Sequence, residues 1–308
     1  MTRILVAGEL NVDLVMVGLP TLPVLGRELV GTDFRVALGS SSAITAARLA
    51  ALGADVDFAG IVGDDDFGNF VLKELTHFGV GIEYVQKVDI PTGVTIALTY
   101  NRDRALLTYP GTIAAYTGLE LTRERLSQYN HLHVGAFYLQ TGLQPTLRHL
   151  FQMAHAAGLT TSLDVGWDPE EQWSDNPDLA PALQHTDYFL PNEDEAAALA
   201  SDVQQLADQV RGMTIVKRGG DGATAYDHGG ERATIPTLPV TVVDTTGAGD
   251  AFNAGFLYAR CVEGLELEPA LHFAAACGAQ AVTQVGGATG APSADAIREL
   301  LKQHQQQE

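Results

Sequence analysis

Asp244-Thr245-Thr246-Gly247-Ala248-Gly249-Asp250-Ala251-Phe252-Asn253-Ala254-Gly255-Phe256 follows an apolar, β-type run, Val240–Val243, and opens a helical pattern. Small residues at 247–249 leave backbone N–H groups uncovered where a helix begins. With the positive end of the helix dipole, such groups make a site for a phosphoryl oxygen or developing negative charge. Asp250 stands beside that cradle. Its carboxylate could accept a proton from a substrate hydroxyl while the amides of Gly247, Ala248 and Gly249 stabilise a transferring phosphoryl group. Taken singly, the same Asp serves as a helix cap and the same glycines as a turn. The composite is far more specific than its parts.

Outward from this segment the chain alternates strand and helix. Ile4–Ala7, Asp55–Ile61, His131–Gly135, Thr160–Asp164, Tyr188–Leu190 and Thr214–Lys217 read as mostly buried strands. Helical periodicity runs through Ala43–Leu52, Phe67–Phe78, Gln144–Ala157, Asp194–Ala200 and Val203–Val210, and later through Ala251–Val262, Pro269–Val282 and Ala294–Lys302. Buried strands joined by helices predict an α/β fold with a mainly parallel sheet covered on both faces. Two regions, about 14–36 and 92–109, carry short β-rich pieces and turn residues without a helix between, and predict a small β lid over the sheet. No linker or internal repeat divides the chain, so residues 1–308 read as one domain.

Composition narrows the function. Lys+Arg 18 against Asp+Glu 38 gives a net charge of −20, a field that repels nucleic acid and anionic membrane. Any phosphate must be held locally, against that field. Two cysteines, Cys261 and Cys277, exclude a disulfide scaffold or a Cys-rich zinc site and suit a reducing cytosol. The opening Met1–Gly8 is too short an apolar run for a signal peptide, and no apolar stretch reaches spanning length, so a soluble, cytoplasmic protein is expected. His131 and His133 lack a third ligand at metal-site spacing, and Phe137 and Tyr138 read as core or, alternatively, as lining of the substrate pocket.

Two common phosphate sites are absent. A Walker loop needs a lysine after its second glycine, and none of Lys73, Lys87, Lys217 and Lys302 follows a glycine. The turn Gly8-Glu9-Leu10-Asn11 lacks the dinucleotide fingerprint of a first βα unit. Asp244–Asp250 together with Ala254-Gly255-Phe256-Leu257 instead resembles the C-terminal signature of the ribokinase-like (PfkB) family of sugar and nucleoside kinases. Gly8–Asp13 resembles the family's first-strand turn, and Gly60–Gly68 its Val-Gly-x-Asp-x-x-Gly stretch.

That resemblance implies a three-layer α/β/α sandwich and ATP-dependent transfer to a hydroxymethyl group of a small sugar, with Asp250 as base and Gly247–Gly249 as anion hole. By resemblance Asn11, Asp13, Gly39, Ser40, Ser41 and Arg104 contact the acceptor, and Asn192, Lys217, Gly219, Gly222 and Ala275 the nucleotide. Asn192 and Glu195 would organise Mg²⁺, directly or through water; the same pair equally reads as a helix cap and its partner. Asp244 and Thr246 fall where relatives hold a monovalent cation such as K⁺. Pairing of two copies through lid strands is also common in the family. The sequence departs from the pattern at Gly39–Ile44, where Ser40 replaces a glycine and Ile44 an asparagine. It departs again after Asp164, where a phosphate-binding arginine is missing and Arg102 or Arg104 could substitute. Ile44 keeps two alternatives open, a nucleoside kinase and a non-catalytic sugar binder.

Overall fold

The computed structural model describes residues 2–100, 103–284 and 286–306, so Arg102 lies outside the described residues. The strands are β1 (Arg3–Ala7), β2 (Asn11–Val17), β3 (Asp33–Leu38), β4 (Asp55–Gly63), β5 (Gly81–Val88), β6 (Gly93–Tyr100), β7 (Asp103–Tyr109), β8 (His131–Val134), β9 (Thr160–Leu163), β10 (Tyr188–Phe189), β11 (Met213–Lys217), β12 (Ala223–Asp227) and β13 (Gly230–Ile235). Among the described residues they form a large sheet, ordered β13-β12-β11-β10-β9-β8-β1-β4-β5, and a small one, β3-β2-β6-β7. The large sheet is parallel from β11 to β5; the β12–β13 hairpin, not foreseen in the sequence, closes one edge antiparallel.

Period-two alternation decides which helix meets which face. On β1, Ile4 and Val6 join one core with helices Ser41–Leu52, Asp66–His77, Ala248–Leu257 and Leu267–Ala281. Leu5 and Ala7 point the other way, into a core with helices Gln144–Ala156, Leu179–Leu183 and Glu193–Leu199. This is the expected three-layer sandwich. His131 and His133 are fully buried and bond to Thr160 and Ser162. Burial pushes their imidazoles down to about 3 and about 4, so both are neutral.

Strand order reverses at the β1–β8 boundary, since β4 and β5 lie to one side and β8 to β11 to the other. A crevice outside the carboxyl ends of the strands at such a point is the usual ligand site in open α/β sheets. Glu9, Asp164 and Lys217 all sit at or just past those ends. The small sheet begins at Asn11, three residues before the expected lid, and its second half spans 93–109.

Val240–Val243 is not a strand. Val242 and Val243 are 58% exposed, Val243 N–H bonds to the Val282 carbonyl, and Val240 and Val242 wall a cavity instead. The β-type composition there serves a pocket wall, with no neighbouring strand to pair. No helix of the described residues is long and apolar enough to cross a membrane.

Glu9, 2% exposed, fastens the end of β1 to the start of helix Ser41–Leu52. Its carboxylate accepts from Ser40 Oγ at 3.0 Å, Ser42 N at 3.0 Å and Ser42 Oγ at 2.5 Å. Burial pushes its pKa up against those bonds. Glu9→Ala strands the Ser42 donors in the interior and should cost about 3 kcal/mol in urea unfolding, with Glu9→Gln costing about half as much. Equal losses for the two variants would show that only volume matters at this position.

Candidate active site

Gly247 caps helix Ala248–Leu257 in the left-handed region, φ 74°. A Cβ there would stand 2.5 Å from Gly287 Cα, and a Cβ on Gly287 would stand 2.5 Å from Ile44 Cδ1. Three residues thus stack without room for one added carbon. Two further ties hold the loop. Asp244 accepts from Thr246 N and Oγ1 (2.9 and 2.7 Å) and from Gly286 N (3.0 Å), while Arg48, 3% exposed, donates from Nε to the Gly287 carbonyl at 2.7 Å. Burial pushes Asp244 up, but these donors outweigh it and hold the carboxyl below its usual range. The expected cation ligands Asp244 and Thr246 are bonded to each other.

The amides of Gly247, Gly249 and Asp250 carry no hydrogen bond among the described residues, whereas Ala248 N–H already points to the Thr245 carbonyl at 3.3 Å. A Cβ on Gly249 would be 3.4 Å from Lys217 Nζ, so an ammonium flanks the same amides. Lys217, expected at the nucleotide, thus stands beside the peptide nitrogens of the loop.

Lys217 is itself held by Asp164 Oδ2 at 2.6 Å and Asn253 Oδ1 at 3.2 Å, and Asn253 Nδ2 donates to the same Asp164 oxygen at 2.6 Å. Burial favours neutral Lys217, but Asp164, Glu195 and Asp250 outweigh it and push its pKa up. Asp164 is held below its usual range because Lys217 and Asn253 overcome its burial. Asp250 remains partly accessible and accepts from Ser41 Oγ at 2.6 Å. Burial, then the Asp164 charge, lift it to about 7 against the Ser41 bond and Lys217. That value suits a proton acceptor working near neutrality.

Asn192 and Glu195 form a capping box, each side chain bonded to the other's backbone N–H at 2.8 Å. Glu195 is also 6% exposed and lifted to about 7 by burial and by Asp164. Glu195, Asp164 and Asp250 share one lysine, an excess of negative charge that fits a divalent cation. Among the described residues no three acidic, His or Cys side chains close into a metal cage. Mg²⁺ fits only with phosphate oxygens and water completing its shell.

On the other side of the loop, Asn11 Nδ2 donates to Asp13 Oδ1 at 3.0 Å and Thr95 Oγ1 at 3.2 Å. Burial lifts Asp13 to about 6, against the Asn11 bond and the Arg104 charge. Gly39 is required here: a Cβ would stand 2.3 Å from Asp13 Oδ1. Two expected acceptor contacts also have partners within the protein. Ser40, at φ 72°, bonds Glu9 and caps its own helix, and Ser41 bonds Asp250. Ile44, 4% exposed, packs on Gly287. Arg104 reaches from β7 to Thr245 Oγ1 at 3.0 Å.

Two cavities meet at this loop. One, of about 410 Å³, is lined by Lys217, Gly219, Gly222, Ala275, Thr245 and Gly249, with apolar walls from Leu238, Val242 and Phe252. The expected nucleotide residues thus share one space, except Asn192, which does not line it. Gly222 also answers to the fold, since a Cβ would meet the Ile235 carbonyl at 2.0 Å. The other, of about 390 Å³, lies between the small sheet and the body, lined by Asp13, Arg35, Asp244, Thr246 and Gly287. Glu9, Arg48, Asp164 and Asn253 escaped the sequence reading. Each is a polar residue embedded in an apolar pattern, and that was the available signal.

The model of the pfkB family carbohydrate kinases matches residues 1–294. An ATP-dependent ribose-1-phosphate kinase of Halopiger xanaduensis is 34% identical, over 98% of this chain and 99% of that protein. A ribokinase of Bacillus subtilis is 29% identical, over 98% and 100%. A ribokinase II of E. coli, crystallised with ATP and Mg²⁺, superposes with a TM-score of 0.86 at 24% identity, over 99% and 100% of the chains. With its signature loop, its three layers and its small sheet all in place, this chain belongs to the pfkB family of carbohydrate kinases.

Proposed function

We propose that the chain transfers the γ-phosphoryl group of ATP to the primary alcohol of a small sugar or sugar derivative. The observation that carries this reading is the position of the Asp244–Gly249 loop. Thr245, Ala248 and Gly249 wall the apolar cavity and Asp244 and Thr246 the polar one, so the open amides sit where two ligands would meet end to end. The apolar walls suit a purine, and the Lys217–Gly249 end suits phosphates. The relative from Halopiger xanaduensis is named for ATP-dependent phosphorylation, and the E. coli structure holds ATP and Mg²⁺.

In this reading Asp250 accepts the acceptor's hydroxyl proton as the oxygen bonds to the γ-phosphorus. The bond from that phosphorus to the β,γ-bridging oxygen breaks, and ADP leaves. The Gly249 and Asp250 amides, with Lys217, neutralise charge on the transferring group. Ser41 and Asp164 are positioning residues: Ser41 orients the base, and Asp164 holds Lys217. Glu195 and Asn192 would hold, through water, the Mg²⁺ that accompanies ATP, and the ion would supply further charge neutralisation. The small sheet excludes water, a competing acceptor, when ligands fill the cleft. Ile44, turned onto Gly287, offers no apolar patch to a nucleobase, which favours a sugar over a nucleoside. The same proposal includes pairing of two copies through the outer face of the small sheet, where Phe34, Ile96, Leu107 and Tyr109 are 40–57% exposed.

Three measurements test the reading. Asp250→Asn should cut kcat by about 10³-fold while ATP affinity stays within a few-fold; near-normal turnover removes Asp250 from its role. The active form of a base is deprotonated, so kcat/KM should fall about tenfold per pH unit below pH 7 and level off above it. A limb that persists in the residual activity of Asp250→Asn assigns the ionisation to another group. Sedimentation equilibrium should give a dimer for the native chain and a monomer for Phe34→Asp/Leu107→Asp, and a native monomer contradicts the pairing.

A further inference from the structure

The cavity between the small sheet and the body is lined by Asp13 and Asp244, yet it also carries a guanidinium that nothing so far explains. Register fixes its origin. Val15 pairs with Arg35 on β3 and with Ala97 on β6; Thr99, two residues beyond Ala97, pairs with Arg104 on β7. Paired residues share a face and the period is two, so Arg35 and Arg104 project from the same side of the sheet as Asp13. They stand on its two edge strands, with β2, which carries Asp13, and β6 between them. Arg35 lines the cavity directly. Arg104 bonds Thr245, and its charge acts on both Asp13 and Asp244.

A neutral sugar needs hydroxyl partners, and Asp13 with its Asn11 support already provides them. It has no use for two guanidinium groups. In a chain with 18 Lys and Arg against 38 Asp and Glu, one guanidinium lines this cavity and a second acts on two of its carboxylates, Asp13 and Asp244. The simplest structural role for Arg35 is its ion pair with Asp33 at 3.0 Å, but both side chains are about half exposed, 47% and 49%. Such pairs contribute little and exchange readily for a better anion. Guanidinium groups match phosphate and carboxylate oxygens in geometry as well as charge.

We infer that the acceptor already carries an anionic group, a phosphate ester or a sugar carboxylate, which Arg35 and Arg104 hold against the small sheet while its free primary alcohol faces Asp250. This rests on the kinase reading above and narrows its substrate class. It also follows that the product bears two separated anionic groups, so the reaction supplying the acceptor must itself phosphorylate or oxidise a sugar while leaving a hydroxymethyl group free.

The test compares ribose, ribose 1-phosphate and gluconate by ADP release with the full chain, and by calorimetry with a non-hydrolysable ATP analogue present. One charged acceptor should exceed ribose in kcat/KM by about 100-fold, the worth of one or two charge-assisted hydrogen bonds, and the one preferred identifies the anion. Arg35→Gln, a surface substitution that leaves the fold intact, should shrink that preference about tenfold and weaken binding of the charged acceptor in parallel. Arg104→Gln should also shrink it. Ribose turned over as well as either charged sugar, or a preference unmoved by Arg35→Gln, overturns this inference and leaves the kinase reading standing. No ADP release with any of a broad sugar panel overturns both.

Discussion

One ammonium group stands among three carboxyl groups, and the chemistry of the cleft depends on that imbalance. Lys217 is fixed to Asp164 and Asn253, close enough to balance one charge fully. Glu195 and Asp250 are left in a poorly solvated region with a neighbouring negative charge, and both rise to about 7. Burial alone would raise them less selectively; the shared lysine keeps Asp164 ionised and makes it the source of the field. The same lysine, next to Gly249, adds positive charge where the amides are open. Burial and the Asp164 charge thus make Asp250 a stronger base against the opposing pull of Lys217, while Lys217 adds to the anion site beside it.

Geometry is held by contacts that tolerate no extra atoms. Gly247, Gly287 and Ile44 stack so closely that the loop has one arrangement, and Arg48 anchors it from behind. Ile44 therefore has a structural reason to be apolar, and its departure from the family's usual asparagine is a packing choice. Ser40 tells a similar story. A serine at φ 72° carries backbone strain that a glycine would avoid, and its hydroxyl offsets this through the bonds to Glu9 and to the helix cap.

The layers and the anion loop could be read in the sequence because both leave periodic or local traces. Alternation at Ile4–Ala7 fixed the two faces of β1, and Gly247–Asp250 announced an uncapped helix start. What could not be read was every feature that depends on distance across the fold. Lys217 lies 32 residues before Gly249 in sequence and against it in space. Ser41 shows nothing in its own neighbourhood of its bond to Asp250, 209 residues away. Val240–Val243 misled because exposed valines at a pocket wall have the same composition as valines in a strand. Arg35 was invisible for a related reason: its face of the sheet is settled only by the pairing of β2 with β3.

The most direct test is a crystal structure with ADP, Mg²⁺, aluminium fluoride and a reactive acceptor, trapped in the geometry of transfer. The account predicts fluorides about 3 Å from the Gly249 and Asp250 nitrogens, with an Asp250 oxygen within hydrogen-bond reach of the acceptor's primary hydroxyl. Fluorides held elsewhere, or an acceptor hydroxyl facing a different carboxylate, would contradict it.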